Sequence, residues 1–188
     1  MTVLSADEFG RRFAELFEHS AFRLELLDYY VAANEEEPFN RFQAGQPQDL
    51  RWREPWKTLV TGAKQAGKRM ERVHVVTEPL TDYLWFELTC AYPSNVQAGE
   101  DVRILPRNHA TSLDLPDHDY WLFDSRRAGR MIYDSDGGLL QIELVDAPDT
   151  IVRYCYGRDV ALHHAVPLTT YVTTRVHSSR PAVDPPIM

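Results

Sequence analysis

The chain has 188 residues, 44% of them hydrophobic, with a formal net charge of -8 and two cysteines, Cys90 and Cys155. That length suits one domain with a sizeable core, and two distant cysteines outside CxxC spacing exclude a disulfide framework or a zinc knuckle. No stretch approaches the roughly 20 apolar residues of a membrane span, and the acidic start, Met1 to Glu8, lacks the basic-then-apolar pattern of a secretory signal, so a cytoplasmic protein is expected.

Ser5 with Glu8 forms a capping box ahead of Phe9, Phe13, Leu16 and Phe17, which predicts an amphipathic helix over 5–18. Phe22-Arg23-Leu24-Glu25-Leu26 alternates apolar and charged residues, the period of a strand with one wet face, near 21–27. Asn34 followed by Glu35, Glu36 and Glu37 suits a helix start, and Gly45 its end. Arg53–Ala66 is a third helix stopped by Gly67. Val73–Val76 reads as a buried strand, and Thr77 with Pro79 as the start of the helix carrying Leu80, Tyr83, Leu84 and Leu88. Asp101–Leu105 is a strand, 106–118 a polar loop, and Tyr120–Phe123, Arg130–Tyr133 and Leu139–Val145 an antiparallel meander joined by turn-rich connections. A last helix runs from Asp146 and Pro148 to about Ala165. The expected class is α+β: N-terminal helices packed on a mixed sheet, then a C-terminal meander and last helix. Residues 1–171 form a single globular domain, and 172–188, with too little apolar content to pack, a flexible tail.

The motifs argue against chemistry more than for it. Gly62 to Lys68 satisfies G-x-x-x-x-G-K, but Arg69 stands where a magnesium-binding Ser or Thr belongs, and the segment ends a helix instead of starting one. Asp134-Ser135-Asp136-Gly137 lacks the distal Glu of a calcium loop and reads as a hairpin turn. His109, Asp114, Asp117, His118 and Asp119 crowd one loop without any metal-ligand spacing. No HExxH, GxSxG or Cys-His signature occurs. No catalytic, cofactor or metal residue is therefore named. Two other readings stay open: a hydrolase or nuclease with an atypical site around His109 to Asp124, and direct DNA binding through residues 51–72, which hold seven Lys and Arg against two Glu and place Lys57, Lys64 and Lys68 along one helix.

The run Arg72 to Glu87, then Ala98-Gly99-Glu100-Asp101 and Tyr120-Trp121-Leu122-Phe123-Asp124, resembles an uncharacterised family of actinobacterial proteins over about residues 8–171. Members are small cytosolic proteins often encoded beside helix-turn-helix regulators and partners of developmental loci in streptomycete-type bacteria. The order of elements from 71 to 165 is also similar to one half of the phospholipase D-like fold, including its non-catalytic versions in bacterial regulators. Catalytic members of that fold need an H-x-K pair, the His as nucleophile and the Lys against developing charge. Lys57, Lys64 and Lys68 are the only lysines, and none lies two places after a histidine, so the resemblance implies that the phosphodiesterase pair is missing. The functional expectation is a non-enzymatic regulatory or protein-interaction domain acting with a helix-turn-helix regulator. Glu78, Asp82, Trp85 and Arg126 are its expected partner-binding face: two carboxylates one turn apart, an aromatic anchor, and a basic turn residue beyond the strand that ends in Asp124.

Overall fold

The computed structural model describes residues 2–178 of the chain. One mixed sheet of eight strands runs through it in the order β1-β7-β6-β5-β2-β3-β4-β8. β2 (Ser20–Glu25), β3 (Arg69–Val76) and β4 (Asp101–Pro106) are parallel neighbours. β5 (Tyr120–Phe123), β6 (Arg127–Tyr133) and β7 (Leu139–Val145) form the antiparallel meander that β1 (Thr2–Leu4) extends, and β8 (Val166–Pro167) closes the other edge. The class, mixed α+β with a meander and a last long helix, is the one the sequence predicts.

α1 (Ala6–Arg12) starts on the capping box, with Ser5 Oγ accepting from Glu8 N at 3.2 Å and Glu8 Oε2 accepting from Ser5 N at 2.9 Å, and it tightens into a 3₁₀ turn at Phe13–Glu15. α3 (Glu54–Gln65) ends where Gly67 adopts φ +74°, a backbone open to glycine without strain. Phe9, Phe13, Val60 and Ala63 from these helices, with Phe17 from the loop after the 3₁₀ turn, pack on Ala21, Met70, Trp121 and Phe123 from one face of the sheet. The opposite face, with Phe22, Leu24, Val73, Val75 and Leu122, is covered by Ile151, Tyr154 and Ala161 of α7 (Pro148–His164). α2 is Glu36–Gln43, and α6 a single turn at Arg107–Ala110 inside the expected loop.

Several boundaries differ from expectation. The helix after β3 starts at Asp82, capped by Thr81, whose Oγ1 accepts from Leu84 N. Thr77 is engaged elsewhere: its N–H donates to Asp28 Oδ1 and its hydroxyl accepts from Arg107 Nε. The segment continues as α4 (Asp82–Phe86), a π turn at Glu87–Ala91 and α5 (Tyr92–Ala98). Pro93 accounts for the wider turn, because it has no N–H to give the carbonyl four residues back and its ring crowds that carbonyl. α2 has no side-chain cap, so Asn34 does not play that part. The expected flexible tail begins too early. Residues 172–178 continue α8 (Leu168–Ser178), with Leu168 and Tyr171 buried against Val76, Leu84 and Ile104; residues 179–188 lie outside the described part.

Candidate functional site

The face of β2 expected to be wet is buried. Arg23 is 4% exposed, Glu25 7%, Arg72 8% and His74 0%. The parallel register sets Arg23 beside Arg72 and Glu25 beside His74, while β5 brings Trp121 opposite Arg23. Two adjacent guanidiniums taken out of water need anions close by. Arg72 donates to Glu100 Oε1 at 2.8 Å through Nε and to Glu25 Oε1 at 2.6 Å through Nη1. Arg23 reaches Asp119 Oδ2 at 2.9 Å, Tyr133 Oη at 2.7 Å and Glu25 Oε1 at 3.3 Å. Trp56 Nε1 completes Glu100, and Tyr30 Oη and Leu26 N complete Asp119. Burial opposes ionisation of each, but Glu100 and Glu25 hold Arg72 well above its ordinary pKa, and Arg72 and Arg23 hold Glu25 well below its own.

Beneath this layer lies a second one, built by the π turn. Its i, i+5 spacing superimposes Glu87 and Tyr92, and Tyr92 Oη donates toward Glu25 Oε2 at 2.7 Å and Glu87 Oε2 at 2.9 Å while standing 2.8 Å from His74 Nδ1. His74 Nε2 lies 2.8 Å from the Leu27 carbonyl, which can only accept, so that nitrogen carries the proton. Burial lowers the pKa of His74, and burial together with Glu25 and Glu35 raises that of Glu87 well above the carboxylate range. The bonding agrees, since one tyrosine proton cannot serve three acceptors and a protonated Glu87 supplies another.

The open side is a basin of about 370 Å³ whose walls include Arg23, Arg53, Trp56, Trp121 and Tyr133. Arg53 donates to Asn95 Oδ1, but its carboxylate neighbour Glu35 stands off at 3.8 Å and is engaged by Tyr83 Oη at 2.7 Å. Burial, with Arg72 nearby, lowers the pKa of Arg53, and burial raises that of Glu35. Arg53 is thus the loosely paired cation of the group.

Over residues 7–173 the sequence matches the family described as Domain of unknown function (DUF6879). The chain belongs to that family. No curated protein matches it in sequence. In three dimensions this DUF6879 chain is similar to a phospholipase D family member, Nuc from Salmonella typhimurium, with a TM-score of 0.53 at 8% identity, over 88% of this chain and 97% of that one. At such identity the likeness shows the fold alone, but its coverage reaches well beyond the 71–165 stretch in which the sequence resembles that fold.

The residues expected to bind a partner do not share one face of the DUF6879 domain. Glu78 precedes the helix instead of lying one turn before Asp82 on it, and its carboxylate is held by Tyr171 Oη and Arg175 of α8. Asp82 is exposed in the first turn of α4, and Trp85 is half-buried. Arg126 sits in the β5–β6 turn, beyond the Phe123–Ala21 end of the strands, whereas Glu78 follows Val76 at the other end. Asp124 belongs to that far end as well, where its carboxylate accepts from the N–H groups of Glu18, His19 and Ser20 at 2.7, 2.8 and 2.7 Å.

The His and Asp loop divides likewise. Asp114 pairs with Arg153, and His118 lies between Asp117 and Tyr154 Oη. His109 is exposed on α6, and Asp119 alone joins the basin network. Among the described residues no group of three or more His, Cys, Asp or Glu is placed to hold a metal ion, and no helix is long and apolar enough to cross a membrane. Of the basic residues in 51–72, Arg51, Lys64 and Arg69 are exposed. Arg53 and Arg72 turn inward, Lys57 pairs with Glu54, and Lys68 donates to the Phe17 carbonyl. Apart from Asp119, the basin residues are not marked by any motif, although Arg23 with Glu25 and Arg72 with His74 repeat one signal: two polar residues at i, i+2, alternating with buried apolar ones.

Proposed function

We propose that this DUF6879 domain is a non-enzymatic regulatory protein of the actinobacterial cytoplasm. Its basin takes a small polar ligand, and its occupancy is passed to a separately encoded protein partner, with a helix-turn-helix regulator the expected one. The observation that carries the reading is the engagement of the charged groups: Arg23 and Arg72 are pinned by ion pairs, and both nitrogens of His74 have partners. The basin walls include no Ser, Cys or Lys among the described residues, so the usual nucleophiles other than carboxylate and phenol are missing from it. Of the titratable residues in 109–124 only Asp119 joins the basin network, which also favours binding over hydrolysis.

The purified chain should give no turnover of bis(p-nitrophenyl) phosphate above buffer, with or without divalent cations. In calorimetry it should bind the helix-turn-helix protein encoded beside it, with an affinity altered by Arg53→Gln. Turnover that disappears in Asp119→Asn would refute the non-enzymatic reading, and absence of binding to that protein would refute the partner.

A further inference from the structure

The unmet bonding around the basin has one sign. Among the described residues, buried side-chain nitrogens without a hydrogen-bond partner include Arg23 Nη1, Arg53 Nε, Trp52 Nε1 and Asn95 Nδ2, whereas no buried side-chain oxygen is in that position. All four are N–H donors. Arg23 and Arg53 line the basin itself. Arg23 commits Nε and Nη2 to Glu25, Asp119 and Tyr133, which leaves Nη1 over. Arg53 commits Nη2 to Asn95 and meets Glu35 only at 3.8 Å.

Buried donors of this kind are almost always met by an acceptor, and a guanidinium fits a planar or tetrahedral oxyanion better than any other group. The walls add a second requirement. Trp56 and Tyr133, both partly exposed, supply flat faces, and the buried Trp121 backs Trp56 at 5.9 Å between ring centres and a tilt of 52°. A volume of about 370 Å³ lies at the small end of ligand sites and accommodates one ring with its substituent. Charge allows an anion to enter. Three arginines face five carboxyl groups, Glu25, Glu35, Glu87, Glu100 and Asp119, and burial raises the pKa of Glu35, Glu87 and Asp119, which favours their neutral forms.

We infer that the basin binds a small flat molecule bearing one oxyanion, a carboxylate or a phosphate ester, whose oxygens accept from Arg23 and Arg53 while its ring lies against Trp56 and Tyr133. The inference rests on the basin being a ligand site and is independent of the partner.

The test titrates the full chain with benzoate, phenyl phosphate, inorganic phosphate and benzylamine, read by calorimetry and by tryptophan fluorescence. One of the two aromatic anions should bind at least about tenfold more tightly than inorganic phosphate and benzylamine, and whichever does so names the oxyanion. Arg53→Gln should weaken it by roughly tenfold or more, the effect of losing a hydrogen bond to a charged group, measured on a chain whose cooperative melt shows it folded, because the change also removes the donor to Asn95 Oδ1. Arg23→Gln strips Asp119 and Glu25 of a partner and is informative only where it folds, so Arg53→Gln carries the test. Unchanged affinity in that variant overturns the placement. Preferred binding of benzylamine overturns the oxyanion and leaves the ligand-site reading standing. No binding of any probe at millimolar concentration overturns both.

Discussion

Arg72→Met removes one cation from between two buried carboxylates while keeping most of the side chain's volume. Arg72 bonds Glu100 at 2.8 Å and Glu25 at 2.6 Å, and its guanidinium lies 5.3 Å from the Tyr92 ring centre and 5.8 Å from that of Trp121. Removing one member of a buried ion pair costs about 3–5 kcal/mol, because the other charge stays desolvated. Glu25 keeps Arg23 and Tyr92, so most of the loss falls on Glu100, left with Trp56 alone. For a chain of this length that corresponds to a fall of roughly 6–20 °C in melting temperature. Urea unfolding at pH 7 should show the midpoint fall at unchanged slope. Adding Glu100→Gln should recover a good part of it. An Arg72→Met chain within about 1 kcal/mol of wild type, or a double variant no better than the single, would refute the claim that these charges are held by one another.

Glu87 has a folded pKa raised by burial and by Glu25 and Glu35, so the folded state keeps a proton that the unfolded chain releases near pH 4.3, and wild-type stability declines as pH rises from there toward the folded value. Glu87→Gln should abolish that decline and be at least as stable at neutral pH in urea melts from pH 5 to 8; a loss above about 1 kcal/mol with the slope retained would contradict it. A chain ending after Pro167 uncovers Val76 and Leu84 and loses Leu168 and Tyr171, both buried, which should cost about 3–6 kcal/mol by calorimetry; an unchanged melting temperature would refute the packing of α8 on the core. Asp124→Ala frees three backbone N–H groups at a half-exposed position and should cost about 1–2 kcal/mol in the same urea assay, with Asp124→Asn losing less and an unchanged midpoint in Asp124→Ala counting against the assignment.

What could be read from the residues was local. Ser5 with Glu8, Gly67 after α3, and the turn-rich links of the meander each specify their structure within a few positions, and each forms as expected. The failures share a cause. Alternation in Phe22-Arg23-Leu24-Glu25 distinguishes two faces but not water from a polar interior, and the difference is made by α3 to α5 arriving from elsewhere in the chain. α8 hides its apolar positions, Leu168, Tyr171 and Val172, among threonines of modest helix propensity, and they declare themselves only against Val76 and Ile104. Thr77 and Thr81 are equally good caps in isolation, and Asp28 and Arg107 decide between them. The basin itself required knowing that β2 and β3 are parallel neighbours in one particular register.

That register has a consequence for folding. Apolar strand residues such as Val73 and Val75 are nearly interchangeable, so by themselves they would let two parallel strands slide. Arg23 beside Arg72 and Glu25 beside His74 do not allow it. Slipping β3 by one residue would drive Arg72 into the layer of Ile151 and Tyr154 and turn Val73 toward Glu100. Slipping by two would keep the faces but carry Arg72 away from Glu25, stranding both. The buried charges thus work as the teeth of a key: mispaired versions of the sheet leave them without partners.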